Sequence, residues 1–298
     1  MLKSRIDPCF VQRQDILAKA ARCICYIGTK QDDEYATGTA FFVSPTILLT
    51  AEHVVPDKSV SVVAQLPGVQ QAEFNVERLF KKDSLEIETF ICHPVSDKKN
   101  YFVDITILDC SQSSYRATDW LELDQVVLSH GTKVDVIGYP GEYTIRYLED
   151  SQGVRIGGSE LADITELLPR WKLTVTHGPV IRGGKLPTYR LSTIGGMSGS
   201  PVILNGKAVG IPTSRRLLLT LGVHVGCNKA QSNRCITFTN ESAWKFLKDH
   251  DIVGTNYFRY LLTEAPTDEE SDDENKSKVS NLVRNYRRGV STPPQQPY

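Results

Sequence analysis

The stretch Gly-Gly-Met-Ser-Gly-Ser-Pro at residues 195–201 contains the most informative side chain of this sequence, Ser198. Glycines on both sides of a serine let the backbone turn tightly and let a substrate approach without meeting a Cβ. Such a turn can direct backbone N–H groups to one point, where they stabilise a developing oxyanion. Because the hydrophobic run 201–204 follows, the sequence predicts an exposed serine on a turn that enters a strand.

Two upstream segments contain side chains that could work with this serine. His53 follows the apolar run that ends at Thr50, and a histidine just past a strand end can face a cleft and act as general base. Asp104 interrupts an apolar, strand-like run at 102–108, where a carboxylate is costly to bury without a partner such as an imidazole N–H. His53, Asp104 and Ser198 therefore fit the base, the orienting group and the nucleophile in the chain order of one known catalytic triad.

Each of these residues also has an ordinary structural interpretation. Ser198 could be a turn serine, His53 could be packed beside a strand, and Asp104 could be satisfied by backbone donors. Asp109 is a competing carboxylate five residues later. The other histidines lack such a sequence context, although His177 and His224 could still approach the cleft.

The composition is that of a soluble globular protein and excludes several classes of function. Of 298 residues, 40% are hydrophobic and 23% are charged, and the net charge of −1 gives no global basic field for nucleic acid or anionic lipid. No apolar run approaches the roughly 18–20 residues that span a bilayer. Cys23 and Cys25 fall on one strand face without further ligands nearby, so we expect neither a metal nor an organic cofactor.

The cysteine count and the N-terminal residues predict an intracellular protein, in the cytoplasm or the nucleus. Seven cysteines are an odd number without the spacing of a disulfide framework, which favours thiols in a reducing compartment. Charged residues interrupt the stretch 8–22, so it lacks the apolar core of a signal peptide.

Many short strands separated by turn signals predict an all-β barrel or sandwich. Before a polar break at 111–119, candidate strands lie at 23–28, 38–43, 47–50, 60–65, 73–79, 85–93 and 103–108. After the break they lie at 125–128, 133–138, 143–148, 171–176, 190–192, 201–204, 208–211, 223–226 and 235–239.

The two ends of the chain differ from this β-rich body. Residues 1–22 predict a short amphipathic helix, with Asp7 as its cap and proline at the first helical position. Asn240 is predicted to cap a C-terminal helix that ends near His250. Within 264–298, seven of the eleven residues 264–274 are acidic and a proline-rich end follows, which predicts a disordered tail that could dock a partner.

Six segments occur in the same order as the motifs of one known family, namely Gly38-Thr39-Ala40-Phe41, Thr50-Ala51-Glu52-His53, Asp104-Ile105-Thr106-Ile107-Leu108, Val136-Ile137-Gly138-Tyr139-Pro140-Gly141, Gly196-Met197-Ser198-Gly199-Ser200-Pro201 and Gly210-Ile211-Pro212-Thr213-Ser214. In these motifs the chain resembles the trypsin-like serine peptidases of the chymotrypsin fold. Its motif style is similar to the HtrA and glutamyl-endopeptidase-like branches, although the segment after residue 250 is too short for a PDZ domain.

This resemblance implies a chymotrypsin-like architecture of two six-stranded antiparallel β-barrels. The first barrel would span 23–118 and carry His53 and Asp104, and the second would span 119–255, carry Ser198 and end with the C-terminal helix. The active site would lie in the cleft between the barrels.

The resemblance also assigns roles around the three residues. The N–H groups of Gly196 and Ser198 would form the oxyanion hole. Ser192 would form the floor of the primary specificity pocket, and its wall would come from Thr213, Ser214 and Arg215. A neutral floor argues against a preference for lysine or arginine in the substrate.

The sequence departs from the secreted animal enzymes at two informative positions. Val54 stands where those enzymes carry a cysteine after the histidine, and Met197 stands where they carry an aspartate before the serine. In those enzymes the aspartate pairs with a new N-terminus after zymogen cleavage. Because Met197 cannot form that ion pair, the resemblance implies that the oxyanion hole of this chain forms by another route.

Together these features predict a cofactor-independent serine endopeptidase that acts on polypeptides through an acyl-enzyme on Ser198. One alternative is a latent or non-catalytic peptidase fold that only binds peptides or proteins. A second is an esterase. A fluorophosphonate probe distinguishes the first alternative from the endopeptidase, and relative rates on esters and peptides distinguish the second.

Overall fold

The computed structural model describes residues 22–31, 34–55, 61–66, 89–95, 103–141, 157–184, 187–189, 193, 195–213 and 233–253. The predicted N-terminal helix (except for Arg22) and the predicted tail over 264–298 lie outside the described residues, as do the candidate strands at 73–79, 143–148, 190–192 and 223–226. The chain divides into one unit of residues 1–253 and another of residues 254–298, and every described residue belongs to the first.

The first half of the described chain forms a closed antiparallel barrel, as predicted. Its strands are β1 (Ile24–Gln31), β2 (Glu34–Phe42), β3 (Ile47–Thr50), β4 (Ser61–Gln65), β5 (Thr89–Pro94) and β6 (Thr106–Asp109). Around the barrel they follow the order β1-β2-β3-β6-β5-β4. Phe41 pairs with Leu49 and both are fully buried, so the register places large apolar side chains in the core.

The second half forms a second closed antiparallel barrel. Its strands are β7 (Lys133–Gly138), β8 (Thr174–Arg182), β9 (Thr188–Tyr189), β10 (Val202–Leu204), β11 (Lys207–Thr213) and β12 (Asn233–Thr237). Their order around the barrel is β10-β11-β12-β9-β8-β7. The predicted fold class, two six-stranded antiparallel barrels, is therefore confirmed.

Two helices accompany the second barrel among the described residues. The predicted C-terminal helix is present as α2 (Glu241–Asp249), and the side chain of Asn240 caps it by accepting hydrogen bonds from the N–H groups of Ser242 and Ala243. The sequence analysis missed α1 (Gly158–Leu167), which is followed by the buried Leu168. Its signal was the spacing of Leu161, Ile164 and Leu168, which fits one face of a helix.

Two details of the predicted strands are wrong. Residues 125–128 form no strand, and only Leu123 just before them makes an isolated bridge, to Ala208. Asp104 precedes β6 and does not lie within a strand, because strand pairing begins at Thr106 opposite Thr50. Alternating apolar residues thus predicted the strands well in the barrel walls and poorly at 103–105 and 125–128, which connect strands.

Four buried cysteines of the barrels carry thiols that are not in disulfides: Cys25, Cys92, Cys110 and Cys235. Burial is the main cause that raises the pKa of Cys25, Cys92 and Cys235 well above the usual value. Burial, and secondarily the negative charge of Asp109, raises the pKa of Cys110 to about 11. Since the thiolate is the reactive form, these four side chains are chemically protected in the folded protein.

We expect iodoacetamide at pH 8 to leave these four cysteines unmodified in the folded protein and to alkylate all of them in denaturant. The folded state retains thiol protons that the unfolded state loses near a pKa of 9.0, so the free energy of unfolding falls as pH rises above about 9. Peptide mapping by mass spectrometry and urea denaturation between pH 7 and pH 10 check the two statements. Alkylation of Cys110 at the same rate with and without denaturant would contradict the first.

Candidate active site

His53 lies on a short turn that leaves the end of β3. The N–H of Val54 donates to the carbonyl of Ala51 and that of Val55 donates to Glu52, which closes the turn around the histidine. Val54 and Val55 are buried, and the hydroxyl of Thr29 donates to the carbonyl of Val54 over 3.1 Å. Burial of Val54 and Val55 therefore fixes the backbone next to His53, from which the imidazole projects.

Asp104 holds the imidazole of His53 by both of its carboxylate oxygens. Nδ1 of His53 lies 2.8 Å from Oδ2 and 3.0 Å from Oδ1 of Asp104. The backbone N–H of His53 donates to the same Oδ1 over 2.9 Å. Three contacts to one carboxylate fix the orientation of the ring and place the Nδ1 proton on the side of Asp104.

The other ring nitrogen of His53, Nε2, is buried and has no hydrogen-bond partner among the described residues. A buried polar atom without a partner is unusual in a folded protein and calls for an explanation. With the Nδ1 proton directed at Asp104, Nε2 has the free lone pair that a general base needs. No hydrogen bond joins Nε2 to Ser198 in this structure, and such contacts often tighten only when substrate is bound.

Ser198 belongs to the second barrel, but its loop is attached to the first barrel beside His53. The carbonyl of Ser198 accepts a hydrogen bond from the N–H of Thr39 in β2 over 2.8 Å. A Cβ placed on Gly38 would lie 2.5 Å from Val54 and 3.2 Å from the carbonyl oxygen of Ser198. Gly38 therefore lies between Val54, the residue after His53, and the backbone of Ser198, which places that backbone near the turn that carries His53.

Gly196, the predicted oxyanion-hole residue, has a backbone conformation that a side chain would oppose. Its φ of +88° favours glycine, and a Cβ there would lie 2.4 Å from the backbone N of Gly141. The carbonyl of Gly195 accepts a hydrogen bond from this N–H of Gly141. Since the 195–196 peptide is trans, the N–H of Gly196 points away from Gly141.

Of the four predicted specificity residues, the structure describes only the backbone of Thr213. Ser192, Ser214 and Arg215 lie outside the described residues. Thr213 is the last residue of β11, and its backbone pairs with Arg234 of β12. The substrate-binding roles of these four residues remain predictions.

The competing residues of the sequence analysis have other partners. Asp109 accepts hydrogen bonds from the N–H and the hydroxyl of Ser111, over 2.7 and 2.9 Å, and so belongs to a local turn. His177 forms a second histidine–aspartate pair, with its Nδ1 2.7 Å from Oδ1 of Asp135. This pair was missed, although Asp135 interrupts an apolar run of the sequence in the same way as Asp104. It bridges neighbouring strands β7 and β8 of the second barrel.

The described residues contain no group of three or more histidine, cysteine, aspartate or glutamate side chains that could hold a metal ion. None of the helices in the described part of the chain has the length and apolar character needed to cross a membrane.

The profile of the trypsin-like peptidase domain matches residues 38–211, which is more than half of the chain and includes His53, Asp104 and Ser198. The chain belongs to the trypsin-like peptidase domain family. No curated protein sequence matches the sequence of this chain.

Solved structures agree with the fold of this trypsin-like peptidase domain. The active form of the Rv3671c protease of M. tuberculosis is 18% identical, with a TM-score of 0.52 over 81% of this chain and 86% of that chain. The inactive form of a serine-to-alanine mutant of the same M. tuberculosis protein is 16% identical, with a TM-score of 0.50 over 84% of this chain and 96% of that chain. At these identities the likeness supports the fold alone.

Proposed function

We propose that this trypsin-like peptidase domain is a serine endopeptidase in which Ser198, His53 and Asp104 form the catalytic triad. The observation that carries the proposal is the state of His53. Its Nδ1 is fixed by Asp104, and its buried Nε2 has no partner among the described residues. The loop that carries Ser198 is tied to β2 through the N–H of Thr39, and we assign its serine as the nucleophile that such a base requires.

The reaction is acyl transfer to water in two steps. Nε2 of His53 takes the proton of Ser198 Oγ while Oγ bonds to the carbonyl carbon of the peptide, and the carbonyl oxygen becomes an oxyanion. As the C–N bond breaks, the same proton passes from Nε2 to the departing amine. Water then hydrolyses the ester on Ser198 with His53 again as base, and this releases the acid and restores the serine.

Asp104 and the backbone of the serine loop stabilise the charges of this reaction. Asp104 stays ionised and stabilises the imidazolium that forms on His53. The N–H groups of Gly196 and Ser198 are the donors we assign to the oxyanion, and losing one donor of this kind typically lowers the rate by about 10²–10³. Ser192, Thr213, Ser214 and Arg215 are assigned to the substrate pocket, whose neutral floor favours a residue other than lysine or arginine.

The partner of this site is a polypeptide substrate, and no cofactor takes part in the proposed reaction. We also propose that the protein acts inside the cell, which the four buried thiols support because an oxidising compartment favours disulfides. The tail over 264–298 is assigned the docking of a partner protein, on its charge pattern alone.

Labelling with a fluorophosphonate probe tests the proposed nucleophile directly. We expect the purified full-length protein to react at Ser198, as located by mass spectrometry, and the label to disappear in both Ser198→Ala and His53→Ala. Loss of the label in His53→Ala would mean that the reactivity of Ser198 depends on the histidine, as expected for a nucleophile activated by a general base.

The result that would overturn the proposal is a folded, monodisperse wild-type protein that takes up no label. The protein would then be a latent enzyme or a binding module that retains the peptidase fold. If the label is found at Ser198, matched peptide and ester substrates separate an endopeptidase from an esterase, because only the endopeptidase cleaves an internal peptide bond.

A further inference from the structure

We propose that Thr39 is a positioning residue that keeps the oxyanion hole formed without an N-terminal activation step. The inference rests on the proposed peptidase function and concerns how its site is assembled. Thr39 lies on β2 in the first barrel and is fully buried. It does not contact the reacting atoms in the proposed mechanism, so any effect on catalysis must pass through the loop that it holds.

Every polar atom of Thr39 takes part in holding the serine loop or the strands around it. Its hydroxyl donates to the carbonyl of Gly196 over 2.8 Å and accepts from the N–H of Tyr139 over 3.0 Å. Its N–H donates to the carbonyl of Ser198, and its carbonyl accepts from the hydroxyl of Thr50, each over 2.8 Å. One residue of the first barrel thus binds both ends of the segment that supplies the oxyanion donors.

These contacts hold backbone carbonyls away from the site where N–H groups are needed. The carbonyl of Gly196 is held by the Thr39 hydroxyl, and the carbonyl of Gly195 is held by the N–H of Gly141. If the peptide between Gly195 and Gly196 rotated, a carbonyl would occupy the position of the oxyanion and repel its charge. Fixing the carbonyls on both sides of the Gly196 N–H opposes that rotation.

The residue before the serine explains why such a hold is needed in this chain. Met197 has no charge with which to anchor the loop, and its side chain is 1% exposed within the buried cluster of the second barrel that includes Val136 and Val202. Apolar burial holds the side chain but does not orient the flanking peptides, because the hydrophobic effect is non-directional. The hydrogen bond from the Thr39 hydroxyl orients the carbonyl of Gly196, because the strength of a hydrogen bond depends on its angle.

The test compares Thr39→Val with Thr39→Ser in the full-length protein. Valine has the shape of threonine but cannot donate to Gly196, whereas serine keeps the hydroxyl. We expect Thr39→Val to lower kcat by roughly 10²-fold with KM nearly unchanged, the size of the loss of one oxyanion donor. Thr39→Ser should restore most of kcat, and a peptide boronic acid, whose oxygen occupies the oxyanion position, should lose affinity for Thr39→Val in parallel with kcat.

Thr46→Val is the matched control. Thr46 is also a buried threonine of the first barrel, and its hydroxyl has no hydrogen-bond partner among the described residues. The same substitution there should leave kcat and boronic-acid affinity at the wild-type values. If Thr39→Val does not fold, the smaller Thr39→Ala also lacks the hydroxyl and is assayed in its place.

The outcomes separate this inference from the proposed function. An active wild type with unchanged kcat in a folded Thr39→Val or Thr39→Ala overturns the role of Thr39 and leaves the peptidase assignment intact. A rise in KM with constant kcat, or a loss of kcat that serine does not rescue, also overturns it, because each indicates a packing role. A folded wild type that neither cleaves peptides nor takes up fluorophosphonate overturns the proposed function itself.

Discussion

Ser198→Ala is expected to lower kcat for peptide cleavage by about 10⁶-fold, the loss measured when the nucleophile of a comparable triad is removed. The reason is that no other group in the proposed mechanism can form the acyl-enzyme with the substrate carbonyl carbon. Ser198 is half-buried and the change removes one oxygen atom, so the free energy of unfolding should change by only about 1 kcal/mol or less. Steady-state kinetics with a peptide substrate and urea denaturation measure the two quantities.

Ser200→Ala is the matched control for this prediction. Ser200 lies two residues later, it is fully buried, and its hydroxyl has no hydrogen-bond partner among the described residues. Removing that hydroxyl should leave kcat within the error of the wild-type value. Equal losses of kcat in the two variants would mean that the loop had been disturbed, and the nucleophile would have to be sought elsewhere.

Asp104→Asn is expected to lower kcat by about 10⁴-fold while the fold is retained. The amide oxygen of asparagine can still accept the backbone N–H of His53, which Oδ1 of Asp104 accepts now. Its NH₂ group then faces Nδ1, and a donor at that position favours the tautomer that carries its proton on Nε2. An imidazole in that tautomer cannot take the proton of Ser198, so the fluorophosphonate reaction should slow in proportion to kcat.

Asp135→Asn provides an equivalent change in the same protein. Asp135 holds Nδ1 of His177 over 2.7 Å, so this variant breaks a histidine–aspartate pair with the same kind of geometry outside the proposed triad. We expect it to retain wild-type kcat. If Asp135→Asn reduced kcat as much as Asp104→Asn, the effect would reflect general electrostatics or stability, and Asp104 would lose its assigned role.

Candidate site residues could be selected from the sequence, whereas part of the peripheral structure was missed. His53, Asp104 and Ser198 could be selected because each one interrupts a pattern, whether a polar residue at the end of an apolar run or a serine between glycines. The same reasoning passed over Asp135, which also interrupts an apolar run, because it precedes the 136–141 motif and is not part of it. A polar residue that interrupts an apolar run can therefore be recognised in the sequence, but the run does not show which side chain it pairs with.

Contacts between distant segments were beyond the reach of pattern analysis. Helix α1 was missed because its apolar positions are few, and Asp104 was placed within a strand because the run around it is apolar. The role of Thr39 was also invisible, because its hydroxyl reaches a carbonyl that is 157 residues away in the sequence. Such hydrogen bonds depend on how two barrels pack, which no local periodicity encodes.

The amino-acid sequence by itself determined an all-β fold of many short strands, the cap of the C-terminal helix and the three candidate catalytic side chains, while the division into two barrels came from the family resemblance. These follow from alternating burial, from capping chemistry and from short motifs, all of which act over a few neighbouring residues. The tertiary structure alone decided that both carboxylate oxygens of Asp104 contact Nδ1 of His53, that Nε2 is left without a described partner, and that Thr39 holds the carbonyls of Gly196 and Ser198. The physical reason is that hydrogen-bond geometry is set by ångström-scale distances between segments that only the packed barrels bring together.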